Sequence, residues 1–173
     1  MSDSIPPARP EPVTIALEPV AAFAALHRLF RGADYDESTV AKRLGGPTLV
    51  GAPRIANGRK TLSGEVSDTN AALVRLFFDG LPLPTAVVRD MLGEAGFDAC
   101  IALHLLTPSP DDDTLVQPTV MLIPLDGLWL ASDMVPEVKD TDAVRQDYVF
   151  SANNELTAHF LAAIPATPGA RVL

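Results

Sequence analysis

The side chains able to do covalent or metal chemistry are few: one cysteine and three histidines in 173 residues. Cys100 stands inside the apolar run Phe97 to Leu106, with no neighbouring base to raise its nucleophilicity. A lone cysteine also excludes a disulfide framework and a thiolate zinc site within a single chain. His27, His104 and His159 fall on three separate expected helices, with no Cys or Glu at ligand spacing, so no metal centre is expected. Asp111-Asp112-Asp113 could attract a cation, but three adjacent carboxylates before a strand read first as a solvated loop. No G-x-S-x-G, P-loop or H-E-x-x-H pattern occurs, so no complete catalytic constellation is expected.

The one compact basic cluster is Arg54, Arg59 and Lys60, set among Pro47, Pro53, Asn57-Gly58 and Gly64. It is the candidate contact for a phosphate backbone or an RNA substrate. A solvated loop accounts for the same residues, and three charges are too few for strong sequence-independent binding. Net charge is −9, and it is unevenly placed. Residues 1–89 carry ten Lys/Arg and nine Asp/Glu, whereas residues 90–173 carry three and thirteen. The acidic second half repels phosphate, so any RNA contact is expected in the first half.

These residues need elements to position them, and hydrophobic periodicity supplies candidates. Residues 1–16 read as a flexible tail rich in Ser, Pro and Glu, without the charge and apolar pattern of a secretory signal. Residues 17–133 read as a helical, winged-helix-like domain. Glu18 to Arg31 is an expected helix with Val20, Phe23, Leu26 and Phe30 as its apolar stripe. A short helix over Asp36 to Leu44, capped by Asp34 or Asp36, follows. Ser67 to Asp79 is the clearest helix, with Ser67 or Asp68 as cap and Leu73, Leu76 and Phe77 inward. Pro84 or Thr85 opens a helix to Leu92, Gly93 and Gly96 break it, and Phe97 to Leu106 forms a third helix.

The period then changes. Thr114 to Leu125 reads as one strand, Asp126-Gly127 as a two-residue hairpin turn, and Leu128 to Ser132 as the returning strand. Pro118 and Pro124 point to an edge or a bulge. Three helices followed by a hairpin give the expected fold class: α+β, mostly helical, winged-helix-like with a β-hairpin wing, plus a C-terminal linker helix. Its third helix lacks Arg, Lys, Asn and Gln, so DNA reading is not expected of it. Residues 134–173 read as an acidic linker, a helix over Asn154 to Ile164 and the first residues of a strand, Arg171-Val172-Leu173. No apolar run approaches the ~20 residues of a membrane span, and a cytoplasmic location is expected.

The segment from Tyr148-Val149-Phe150 through Asn153-Asn154-Glu155-Leu156-Thr157, followed by Pro168-Gly169-Ala170-Arg171-Val172-Leu173, resembles a known lead-in. It is similar to the approach to the catalytic domain in class I S-adenosylmethionine-dependent methyltransferases of the "small" group. That group includes release-factor glutamine methyltransferases and ribosomal RNA methyltransferases. In them a Gly-x-x-Val-Leu strand runs into an Asp-x-Gly-x-Gly loop that cradles the cofactor; here the match stops at Leu173. Leu73 to Pro84, with Leu128 to Asp133, more loosely resembles the helix-and-wing domain that precedes the catalytic domain in some bacterial members.

The resemblance implies that Phe150, Asn153, Asn154 and Thr157 border the cofactor pocket. Asn153-Asn154 departs from the Pro-Glu of release-factor enzymes, and the Asn-Pro-Pro-Tyr signature is absent from these residues. It further implies S-adenosylmethionine as cofactor of a longer parent, with none expected for residues 1–173 alone. The implied partners are the catalytic domain and a protein or RNA substrate of the translation machinery, with no DNA and no membrane. The alternative expectation is a free-standing winged-helix protein-interaction module.

Overall fold

A computed structural model describes residues 15–16, 19–49, 66–134 and 155–163. The basic cluster Arg54, Arg59 and Lys60 lies outside the described residues. So do the N-terminal tail up to residue 14, the linker from residue 135, Phe150, Asn153, Asn154 and the strand expected at Arg171-Val172-Leu173.

Helix α1 spans Val20–Gly32 and starts where the Pro19 carbonyl accepts from the Ala22 and Phe23 amides. Only part of its expected stripe is used. Leu26 and Phe30 are buried, but Val20 is 77 % and Phe23 39 % exposed, because the helix meets the core through its C-terminal half. Helix α2, Glu37–Arg43, starts at Asp36, whose carboxylate accepts from the Thr39 amide at 2.8 Å. Helix α3, Thr69–Leu73, starts at Asp68 in the same way, through the Ala71 amide at 2.7 Å.

The sequence predicts a regular helix up to Asp79. Instead α3 widens into a π-helix over Val74–Phe78, with the Asp79 amide donating to the Val74 carbonyl five residues back. The wider turn brings Val74 and Phe78 into the core beside Leu73, Leu76 and Phe77.

Strand β1 is only Leu83–Pro84. Helix α4, Thr85–Ala102, is interrupted at Gly93, whose φ of 68° and ψ of 159° are open to glycine alone. The two expected helices are therefore present and meet at Gly93. Gly96 does not break the second; it lets α1 approach, since a Cβ there would sit 3.2 Å from a Leu29 methyl. The second half of α4 stops at Ala102, short of the expected Leu106. Leu103 to Leu105 form a turn with His104 at φ 58°, and Leu106 opens a strand.

Four further strands follow: β2 Leu106–Pro108, β3 Leu115–Pro118, β4 Val120–Leu125 and β5 Leu128–Asp133. The single strand expected over Thr114 to Leu125 is split at Thr119. There the side-chain hydroxyl donates to the His104 carbonyl and the amide to the Leu105 carbonyl. The two parts serve different sheets. One sheet is antiparallel in the order β1-β3-β2, with Leu83 and Pro108 both opposite Val116. The other is the hairpin β4-β5, with Val120 opposite Asp133 and Leu125 opposite Leu128. Its turn has the positive φ expected at both positions, 50° at Asp126 and 77° at Gly127. Helix α5, Glu155–Ala163, completes an α+β architecture with two small antiparallel sheets.

One contiguous apolar cluster runs from Leu26 to Ile123. Its aromatic centre is Phe30, with ring centroids 5.2 Å from both Tyr35 and Trp129 and 6.2 Å from Phe77. Two long-range hydrogen bonds seat the β4-β5 hairpin on the α1-α2 turn. The Tyr35 hydroxyl donates to the Leu122 carbonyl at 2.7 Å, and Trp129 Nε1 donates to the Tyr35 carbonyl at 2.8 Å. Buried Asn70 ties the same turn to α3. Its Nδ2 donates to the Ala33 and Asp34 carbonyls, and its Oδ1 accepts from Arg43 Nε.

Candidate recognition surface

The second half of α4 packs Phe97, Ala99 and Cys100 inward. That leaves Glu94, Ala95, Asp98, Ile101 and Ala102 outward, with Ile101 36 % exposed. The helical period alone decides this division. The outward face is therefore acidic and apolar. Arg89, the only cation of α4, is held by an ion pair with Glu94 and stacks over the Phe97 ring at 4.1 Å. This contact spans the Gly93 break and holds the two halves of α4 together.

The turn between β2 and β3 carries Asp111, Asp112 and Asp113, all exposed. Asp112 accepts from the Thr114 hydroxyl at 2.6 Å and the Thr114 amide at 2.9 Å. These bonds hold its carboxyl below the usual carboxylate range, the side-chain bond first. The Thr114 carbonyl in turn accepts from the Thr85 amide, which anchors the turn to the start of α4. The triple aspartate is thus a structured turn built on its own backbone.

Chemistry on the described residues is correspondingly limited. Cys100 is fully buried, and burial pushes its thiol up to about 12, so it stays protonated and unreactive at neutral pH. Tyr35 is shifted upward by burial and then by the Asp79 carboxylate, which makes it a permanent donor to Leu122. His27 packs edge-on against Trp129, with centroids 5.5 Å apart, and His104 and His159 are exposed. No group of three His, Cys, Asp or Glu able to hold a metal occurs among the described residues. Nor is any described helix long and apolar enough to cross a membrane.

Of the residues singled out for the cofactor pocket, only Thr157 lies among the described ones, half-buried in α5. Sequence reasoning did not single out Trp129, Tyr35 and Arg43, whose partners are distant in the chain. A lone tryptophan on an expected strand was the available signal for the first. Comparison with family models, curated proteins and solved structures finds no match for this chain.

Proposed function

We propose that this chain is the substrate-recognition domain of a class I S-adenosylmethionine-dependent methyltransferase of the small group. The substrate is a component of the translation machinery, protein or RNA, and the recognition fold is a winged helix. The observation that supports this most is the element order of residues 69–118. It runs α3, β1, the two halves of α4, β2, turn, β3, with sheet order β1-β3-β2. Helix, short strand, helix pair and a three-stranded sheet closed by a loop is the order of a winged helix. In this reading the wing is the 109–114 turn and not the Asp126-Gly127 hairpin, because only β2 and β3 share a sheet with β1.

The face such a fold offers a partner carries Glu94, Asp98 and Asp111 to Asp113, which favours a protein over a phosphate backbone. An RNA contact would fall to Arg54, Arg59 and Lys60. The methyltransferase part of the proposal rests on the sequence likeness of residues 148–173, with S-adenosylmethionine bound by residues beyond Leu173. Calorimetry tests it: residues 1–173 should show no S-adenosylmethionine binding, and the chain extended by the codons after Leu173 should bind at micromolar concentration. Micromolar binding by residues 1–173 would overturn the division of labour. Absence of Asp-x-Gly-x-Gly from the following codons would overturn the parentage. The acidic face of α4 would then favour the second reading, a winged-helix protein-interaction module working alone.

A further inference from the structure

The β4-β5 hairpin and the α1-α2 turn do not close completely on each other. Between them lies a cleft of about 170 Å³. That is below the ~300 Å³ at which small-molecule pockets begin, and suits one long side chain better than a cofactor. Its floor is aromatic and rigid. Trp129 is fixed by its Nε1 bond to the Tyr35 carbonyl and by packing on Phe30 and His27. Its rim is charged. Asp34 is exposed and has no ion pair among the described residues, and Glu37 lies beside it, accepting from the Asp126 amide at 3.3 Å.

Two further features point to the occupant. The Arg31 guanidinium already lies over the Trp129 ring, 5.8 Å from its centroid, near the outer reach of cation–π attraction. The ring thus presents a face to cations. At the mouth, Leu128 is 51 % exposed, an apolar anchor that a small hydrated cation would leave uncovered.

We propose that this cleft docks a basic protein segment. One Arg or Lys side chain lays its apolar stem along Trp129 and places its charged end between Asp34 and Glu37, while an apolar neighbour covers Leu128. Long basic side chains have this division of apolar stem and charged head. Phosphate backbones are repelled by the same carboxylates. The proposal is independent of the methyltransferase reading, since it concerns α1, α2 and the hairpin and not α4 or residues past Leu173.

Trp129 is the chain's only tryptophan, so its fluorescence reports directly from the cleft. The experiment titrates the 173-residue chain with acetyl-Leu-Arg-Leu-Arg-Leu-amide and follows that emission. A saturable change is expected, and none with the same peptide carrying Glu for Arg. The double variant Asp34→Asn, Glu37→Gln should weaken binding about five-fold, the effect of losing two exposed ion pairs. Asn tolerates the left-handed backbone at Asp34, where φ is 48°, and Gln still accepts from Asp126, so the fold is kept. Arg31→Ala removes the competing cation and should tighten binding about two-fold. No saturable change, or equal affinity for the double variant, would overturn the proposal. So would putrescine, with two charges but no leucines, binding as tightly as the peptide.

Discussion

Asp68 works on two partners at once. Its Oδ1 caps α3 through the Ala71 amide, and both its oxygens accept from Arg43 Nη2, at 2.9 and 2.8 Å. Replacing it with alanine removes a cap and a charge-assisted bond, and urea denaturation should show a loss of about 1–2 kcal/mol. Its carboxyl is held below the ordinary value of 3.8, first by the Ala71 amide and also by Arg43; Asp36 is lowered likewise, first by the Thr39 amide. A carboxyl depressed on folding stabilises the fold above its unfolded value, and that contribution disappears as the pH falls through the folded one. The stability gap between wild type and Asp68→Ala should therefore be full at neutral pH and shrink in acid below 3.8. Denaturation midpoints at descending pH measure it. Each cap was legible to within two candidates, Asp34 or Asp36 and Ser67 or Asp68, because capping is local. Arg43 was not, because its partner lies 25 residues away.

At the scale of elements, the helices were easier to read than the strands. The stripe that marks α1 repeats over several turns, α2 is marked by its cap, and glycines mark where the helices stop or break. The π-helix at Val74–Phe78 left no mark, since one inserted residue changes which side chains face inward without changing composition. Strands β1 and β2, of two and three residues, are too short for a period of two to be seen. β2 also begins inside an apolar run that extends the α4 pattern past its true end. Thr119 divides β3 from β4 through bonds to His104 and Leu105, again beyond local reach. Gly93 is the element whose role can be tested most directly. A side chain there meets no neighbour, but the backbone lies in a region closed to other residues. Gly93→Ala should cost about 1–3 kcal/mol purely through backbone strain, measured as a lowered denaturation midpoint.

For the whole molecule, the uneven charge seen in the sequence becomes a surface property. The outward face of α4 presents Glu94 and Asp98, and the β2-β3 turn presents three exposed aspartates, while Arg89 is committed to Glu94 and Phe97. Fluorescence anisotropy with duplex DNA at low salt should show no binding through this face; a salt-sensitive affinity abolished by Arg89→Ala would contradict that. The α+β class was legible because the hydrophobic period changes along the chain. The way the strands divide into two sheets was not, since pairing depends on contacts remote in sequence.

The two bonds that seat the hairpin join residues far apart in the chain: Tyr35 to Leu122 across 87 positions, and Trp129 to Tyr35 across 94. Closing loops of that length carries an entropy cost that local helix formation does not. The expected order of assembly is the helices and the short-range β4-β5 turn first, and docking of the hairpin on the Phe30 ring last. Because Trp129 is the chain's only indole, its emission during refolding marks this last step, separately from the backbone signal of the helices.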